Sequence, residues 1–133
     1  MKKGYKNNIE KLTTENENFR KVLYTAEHCQ LVLMSLLPGE EIGMEVHEDN
    51  DQFFRFEKGS GKVIINDTED KIVGGDAVIV PSGSKHNVVA GDEGLKLYTI
   101  YSPAHHKDGV IRGTKKEAEA EENKEEFDGV TTE

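Results

Sequence analysis

The stretch Gly75-Asp76-Ala77-Val78-Ile79-Val80-Pro81-Ser82-Gly83-Ser84-Lys85-His86 decides the fold. It joins a glycine turn to a short apolar run, a Pro-Ser-Gly turn and a histidine. Apolar runs of this length, separated by turn residues, are typical of an all-β sandwich or barrel. Glycine and proline favour such turns through their backbone torsion preferences. The stretch therefore predicts one strand, a tight turn, and a second strand that begins at His86.

The same pattern of short runs and turns extends on both sides of this stretch. It predicts strands over residues 19–25, 30–37, 43–47, 53–56, 62–66, 77–80, 86–89 and 95–101. The intervening segments are rich in glycine, proline, asparagine and aspartate, which mark turns. No helical period of useful length interrupts the series, so the pattern argues against an α/β sheet.

Polar segments flank this middle part and divide the chain into three. Residues 1–18 have little to bury and are predicted to form a flexible N-terminal arm, before a barrel over residues 19–104. Residues 105–133 form a polar C-terminal tail, in which Thr114 and Glu117 have the spacing of a capping box. A short helix over residues 117–126 is predicted there, and its stacked glutamates favour fraying into a disordered tail.

Length and charge limit the partners. The chain has 133 residues and a formal net charge of -9, which suits one domain and argues against nucleic acid or an anionic membrane as the main partner. The longest apolar run, residues 31–37, is far shorter than the roughly 20 residues that span a bilayer. The single cysteine, Cys29, cannot form an internal disulfide. These features predict a cytoplasmic protein.

Four polar residues stand out against the apolar pattern. Alternate side chains of a strand share a face, so Glu45 and His47 point to the same side. Gln52 begins the next strand after an acidic turn and heads an otherwise apolar column. His86 enters the barrel from a distant part of the sequence. The alternation thus places a carboxylate beside an imidazole, and it puts a polar amide at the head of an apolar column.

Two motifs resemble those of the cupin family. The first family motif runs Gly, five residues, His-x-His, three or four residues, Glu, six residues, Gly. The matching stretch here is Gly43-Met44-Glu45-Val46-His47, followed by Gln52 and Gly59. Glu45 stands at the position of the family's first histidine, and Gln52 stands at the position of its glutamate.

The second family motif runs Gly, five residues, Pro-x-Gly, two residues, His. It is present as Gly75, Pro81-Ser82-Gly83 and His86. The two motifs occur in the family's order and near its shortest separation, and the resemblance covers residues 30–101. It implies a double-stranded β-helix, which is the cupin or jelly-roll barrel, of the phosphomannose-isomerase-like small type.

The resemblance also implies a cofactor, which is one divalent metal ion held by Glu45, His47, Gln52 and His86. Two imidazoles and one carboxylate form the facial triad of non-haem iron(II) oxygenases, which leaves positions open for substrate or dioxygen. Iron, manganese, nickel, zinc or copper would suit this mixed set of nitrogen and oxygen donors. Glu45 and Gln52 are the predicted catalytic residues, because Gln52 can add a neutral amide oxygen or orient a bound water.

Structural roles for these residues remain open. His47 and His86 are alternatively hydrogen-bonded structural histidines, Glu45 alternatively pairs with a neighbouring cation, and the amide of Gln52 alternatively forms a hydrogen-bonding wall. His105 lies with a second histidine directly after Ser102-Pro103. Both His105 and His106 are predicted to lie in an exposed loop, since loops usually lie at the surface. Alternatively, they fold over the barrel mouth or supply a proton donor.

Three functions compete on this basis. A metal-dependent enzyme of the dioxygenase type, acting on a small organic molecule, is favoured. A sugar or sugar-phosphate isomerase or epimerase is the second, although the basic residues it needs are scattered: Arg55, Lys58, Lys62, Lys85 and Lys96. A non-catalytic module that binds or senses a small molecule is the third. The resemblance further implies a homodimer, because small cupins commonly exchange N-terminal strands.

Overall fold

The computed structural model describes all residues, 1–133, and is mostly β-sheet. It contains eight strands, two helices and one 3-10 turn. In chain order these are α1 (Ile9–Glu15), β1 (Arg20–Thr25), β2 (Gln30–Leu36), β3 (Glu45–Val46), β4 (Asp51–Ile65), β5 (Thr68–Val73), β6 (Ala77–Val80), β7 (Lys85–Ser102), β8 (Ile111–Arg112), α2 (Lys115–Ala120) and the 3-10 turn Glu122–Lys124.

Two long antiparallel strands, β4 and β7, form the centre of the sheet. The strand order is β5-β4-β7-β2-β1-β8, while β3 pairs with β7 and β6 pairs with β4. Residues 51–59 of β4 pair with 95–102 of β7, and residues 61–65 pair with 86–90. The four short strands predicted over 53–56, 62–66, 86–89 and 95–101 are therefore segments of two long ones. The predicted all-β cupin-type jelly roll is confirmed.

Irregularities in register bend β4 between its two halves. The register shifts between Phe56 and Lys58 and again between Gly59 and Gly61. At Gly61 the strands approach so closely that a Cβ atom would lie 2.2 Å from the carbonyl oxygen of Val89. A side chain is excluded there, and glycine allows the long strand to pass from one half of the barrel to the other.

The core lies between the inward faces of these strands. Alternation in β4 buries Gln52, Phe54 and Phe56, whereas Phe53 and Arg55 are only half-buried. The column predicted from period-two alternation is thus confirmed. Seventeen buried residues form one apolar cluster: Phe19, Val22, Val32, Met34, Leu36, Phe54, Phe56, Val63, Ile72, Val80, Val88, Ala90, Leu95, Leu97, Tyr101, Val110 and Ala118.

Two strands, β5 and the two-residue β8, were not predicted. β5 pairs with residues 60–65 of β4 at the edge of the sheet, and only Ile72 of its six residues is buried. Its sequence, Thr68-Glu69-Asp70-Lys71-Ile72-Val73, begins with four polar residues. An edge strand that is exposed along most of its length lacks the alternation by which strands are recognised.

The N-terminal segment, residues 1–18, which is predicted to be a flexible arm, contains the helix α1. The side chain of Asn8 caps α1 by accepting a hydrogen bond from the backbone N–H of Lys11 at 3.0 Å. Thr13 is fully buried. The Lys96 ammonium group donates to the carbonyl of Asn16 at the end of the helix.

No helix in the structure is both long and apolar enough to cross a membrane.

The C-terminal tail folds back onto the barrel, in contrast to the predicted fraying segment. Thr114 caps α2 by accepting from the backbone N–H of Glu117 at 3.1 Å, but the helix ends at Ala120 instead of continuing to residue 126. Beyond it, Glu125 is 3% exposed. Its carboxylate accepts from Arg20 at 2.7 Å and from Arg112 at 3.0 Å. Buried ion pairs therefore fix the tail.

We predict that Glu125→Ala destabilises the protein by about 3–5 kcal/mol, because it leaves two largely buried guanidinium groups without their anion. The measurement is the free energy of unfolding in urea. Glu69→Ala is the control, since the Lys62–Glu69 pair at 3.0 Å is exposed and such pairs contribute less than about 1 kcal/mol. Equal effects of the two substitutions would contradict the assignment of Glu125 as a buried anchor.

Candidate metal centre

Glu45 and His47 meet at the mouth of the barrel, as their alternation predicts. The Oε2 atom of Glu45 lies 2.9 Å from Nε2 of His47. Strand β3 holds Glu45 directly opposite His86 of β7. The approach to β3 is fixed by Asn87, whose side-chain oxygen accepts a hydrogen bond from the backbone N–H of Gly43 at 2.9 Å. Three of the four predicted ligands therefore share one corner of the sheet.

His86 presents one ring nitrogen to this corner. Its Nδ1 atom lies 2.9 Å from the carbonyl oxygen of Ser84. A carbonyl can only accept, so Nδ1 carries the proton and Nε2 keeps its lone pair. The ring centroids of His86 and His47 are 5.2 Å apart, and Phe54 contacts the far side of the His86 ring at 6.3 Å.

The amide of Gln52 has a fixed orientation. Its Nε2 atom donates to the hydroxyl oxygen of Thr99 at 3.0 Å, and that hydroxyl donates in turn to the carbonyl of Phe53 at 2.8 Å. The single hydroxyl proton of Thr99 is used in its bond to Phe53, so Thr99 acts only as an acceptor towards Gln52. The amide oxygen of Gln52, which is buried, is left without a hydrogen-bond partner.

His105 joins the site, which corrects its prediction as part of an exposed loop. Its ring centroid lies 4.2 Å from that of His47 and 5.2 Å from that of Tyr101. The ligating atoms of Glu45, His47 and His105 all lie within 4.8 Å of one another. His105 is half-buried. The signal available in the sequence was a histidine pair directly after the last strand that lines the site.

The prediction of an exposed loop is also wrong for His106, which is only 7% exposed. Its Nε2 atom lies 3.3 Å from the phenol oxygen of Tyr101. Its Nδ1 atom lies 3.7 Å from the carboxylate of Glu125. His106 therefore connects the wall of the site with the buried ion pairs that anchor the C-terminal tail.

The residues present fit a metal ion. Nε2 of His47 is buried and has no hydrogen-bond partner, because the Glu45 oxygen, although only 2.9 Å away, lies outside hydrogen-bonding geometry. Donor atoms that bind one ion at about 2.1 Å and at right angles lie about 3 Å apart. The unpartnered oxygen of Gln52 is a further buried donor atom. Glu45, His47 and His105 thus form a candidate metal site.

The protonation states suit this role. Burial, and secondarily the charge of His47, lowers the pKa of His105 to about 4. Burial also lowers the pKa of His86, against the opposing effect of its hydrogen bond to Ser84. Burial acts to raise the pKa of Glu45, but the close approach and charge of His47 outweigh it and lower the pKa overall. At neutral pH these groups are neutral imidazoles and a carboxylate, which are the forms that bind metals.

A cleft of about 340 Å³ opens beside this site. Residues 42–45 line it together with Arg20, His105 and His106. The C-terminal tail contributes further lining residues, among them Lys115, Ala118 and Glu125. A small molecule in this cleft can therefore contact both Glu45 and His105, which belong to the candidate metal site.

The fold and the site together define a small β-barrel protein with a candidate metal centre at the barrel mouth. The family described as "Cupin domain" matches residues 32–101, which is more than half of the chain. The chain therefore belongs to the cupin family.

Relatives with known sequences or structures support this assignment. The chain is 42% identical to the protein YrkC of Bacillus subtilis (strain 168) over 123 residues, which are 87% of this chain and 66% of YrkC. It is 42% identical to a protein of Acanthamoeba polyphaga mimivirus over 109 residues, 78% of this chain and 68% of that protein. The chain thus spans about two thirds of these relatives. The crystal structure of BH2720 from Bacillus halodurans matches with a TM-score of 0.87 at 38% identity, covering 89% of this chain and 95% of that one.

We predict that the metal-free protein loses stability as the pH falls from about 6.5 to about 4. His86, His105 and His106 are held neutral because burial lowers their pKa values, so the unfolded chain binds protons in this range before the folded chain does. The measurement is the free energy of unfolding against pH in the presence of a chelator. His105→Asn should reduce the slope, whereas His28→Asn, at an exposed position, should leave it unchanged. A wild-type slope of zero would contradict the prediction.

Proposed function

We propose that this protein is a metal-binding small cupin that acts as a metal-dependent enzyme on a small organic molecule, with dioxygenation as the favoured reaction. The observation that carries the proposal is the cluster of Glu45, His47 and His105, whose ligating atoms lie within 4.8 Å of one another beside a cleft. Two imidazoles and one carboxylate match the facial triad of iron(II) oxygenases.

The proposed ligand set differs from the one that the motifs imply. Glu45 and His47 are common to both, and His105 takes the place of third ligand. His86 is a third imidazole beside them, opposite Glu45 in the sheet. Gln52 stays close to the site through its neutral oxygen. A divalent ion held by these donors supplies Lewis-acid chemistry, and iron in particular supports oxygenation. The same set of donors also suits manganese, nickel, zinc and copper.

The chain's own side chains give the site its character. Glu45 is ionised and contributes the negative charge that balances a cation. Gln52 cannot remove a proton, but its fixed oxygen accepts a hydrogen bond from a substrate N–H or O–H or from water. The Tyr101 phenol is buried, and burial raises its pKa, so it stays protonated. A neutral hydrogen-bond donor therefore lines the wall behind His47.

The alternatives have less support. A sugar-phosphate isomerase needs cations at the mouth, yet the cleft contains only Arg20, which is paired with Glu125, and Lys115. None of the five basic residues considered for that function lines the cleft. A binding or sensing module without catalysis would use the same site. It differs from an enzyme only in its lack of turnover.

Elemental analysis of the purified protein, with variants, tests the proposal. We expect one equivalent of a divalent transition metal in the wild type, and loss of at least tenfold in metal affinity in His47→Ala and His105→Ala. His28→Ala is the matched control, because His28 is exposed and distant in sequence from the cluster. Full metal content in His47→Ala would refute the ligand assignment.

The reaction is tested on the same iron-loaded protein by oxygen uptake with catechol-like, flavonoid and diketone substrates. Uptake that is abolished in Glu45→Ala supports the dioxygenase proposal. If substrates raise the melting temperature but are not consumed, the binding module is favoured, since a ligand that binds only the folded state stabilises it. Stabilisation by sugar phosphates alone would favour the isomerase.

We further propose that the protein is a homodimer. Residues 9–15 form α1 and not a strand, so the support comes from the sheet. It is a row of apolar side chains in register across five strands: Ile79, Phe53, Ile100, Leu31 and Tyr24. Ile79 is 66% exposed. Apolar patches of this kind mark interaction sites, and in a twofold dimer the same patch of both subunits would meet.

We predict that Ile79→Asp converts a dimer to a monomer at micromolar concentration, because it places a charge in the apolar row. Light scattering during size-exclusion chromatography measures the mass. Val73→Asp is the control: Val73 is 54% exposed but lies on the edge strand β5, outside the row. A monomeric wild type, or a dimer that survives Ile79→Asp, would count against this interface.

A further inference from the structure

The loop that carries His105 and His106 has almost no secondary structure of its own. Residues 103–106 follow the end of β7, and their one backbone bridge pairs His106 with Glu126 of the tail. Yet His106 is buried and His105 is half-buried. Buried backbone groups need hydrogen-bond partners. Of the N–H and C=O groups of the two histidines, the carbonyl of His105 accepts from the backbone N–H of Phe127 at 3.1 Å, and side chains are needed for the others.

Gln30 supplies most of these partners. Its side-chain oxygen accepts from the backbone N–H of His105 at 3.2 Å and from that of His106 at 3.0 Å. Its side-chain nitrogen donates to the carbonyl of His106 at 2.7 Å and to the hydroxyl of Thr25 at 2.9 Å. Gln30 is 0% exposed. Every hydrogen-bonding position of this one amide is used, and three of its four bonds hold the histidine loop.

The position of Gln30 in the sheet explains why it reaches the site. Gln30 of β2 lies directly opposite Tyr101 of β7, and Tyr101 lies directly opposite Gln52 of β4. Directly opposite residues share a face, so the three side chains form one inward row at the barrel mouth. Holding the loop on Gln30 places His105 against His47 and Tyr101.

The chemistry of the contact selects an amide. A carboxylate at position 30 would accept from both N–H groups but could not donate to the His106 carbonyl. An apolar side chain could do neither. A side chain that both accepts and donates is needed to hold an N–H and a C=O of the same residue at once.

We infer that Gln30 is a positioning residue that brings His105 into the metal site. This inference rests on the proposed metal function. Gln30 touches no ligand atom, but through the backbone of residues 105 and 106 it sets where the His105 ring stands. Residues that orient metal ligands in this way typically change metal affinity by about tenfold to a hundredfold when they are replaced.

The test is a double-mutant cycle with cobalt(II) as the probe metal. Gln30→Met, His105→Ala and the double variant are titrated with cobalt(II), and the visible absorption of the bound ion reports its ligands. We expect Gln30→Met to weaken binding by about tenfold to a hundredfold and to shift the spectrum towards that of His105→Ala. The double variant should bind no more weakly than His105→Ala, because both changes remove the same ligand.

Thr13→Val is the matched control for loss of a buried hydrogen bond. Thr13 is fully buried in α1 and donates to the carbonyl of Ile9 at 2.7 Å. Its substitution should leave cobalt affinity and spectrum unchanged. A second readout needs no metal: hydrogen exchange at the His105 and His106 amides of the metal-free protein, which should be slow in the wild type and fast in Gln30→Met.

The outcomes separate the two proposals. Wild-type protein that binds no cobalt refutes the metal function, whereas the exchange experiment still tests the contact. A loss of affinity in His105→Ala but not in Gln30→Met overturns the role of Gln30 alone, as does slow amide exchange in Gln30→Met. If Gln30→Met does not fold, Gln30→Glu replaces it. That variant keeps the two N–H contacts, so affinity midway between wild type and His105→Ala is expected, and wild-type affinity overturns the inference.

Discussion

The antiparallel pairing of β4 with β7 is the constraint on which the rest of the structure depends. One half of the pair sets Gln52 opposite Tyr101, and the other half sets Ile65 opposite His86. Because a register shift of one residue would turn every side chain to the other face, this pairing decides which groups enter the barrel. It requires Gly61, where any side chain would collide with the backbone of β7. The positions of the side chains at the barrel mouth are thus set by two continuous strands.

Burial links the structural and chemical properties of the mouth. Gln30, Gln52, Thr99 and Tyr101 are all buried polar groups. Gln30 uses all its hydrogen-bonding positions. Thr99 accepts from Gln52 and donates to the carbonyl of Phe53, while the side-chain oxygen of Gln52 has no partner. The same exclusion of water that makes unpaired polar groups costly keeps the nearby imidazoles neutral. The site suited to a cation therefore lies where polar side chains are buried inside an otherwise apolar barrel.

Much of this architecture follows from local pattern in the sequence. Period-two alternation was sufficient to place Glu45 beside His47 and to bury Gln52 with Phe54 and Phe56. The edge strand β5 could not be recognised because five of its six residues are exposed and no alternation marks it. The burial of His105 and His106 could not be predicted for a different reason. Their burial depends on Gln30, 75 residues away in the sequence for His105, and a one-residue-at-a-time pattern carries no information about such long-range hydrogen bonds.

The location of His105 on a loop separates two parts of the candidate site. Glu45 and His86 lie on paired strands, so the backbone of the sheet sets their positions. His105 lies on a short connection whose backbone is held by the side-chain amide of Gln30. The place of this candidate donor is therefore set by side chains, independently of the backbone bonds that build the barrel.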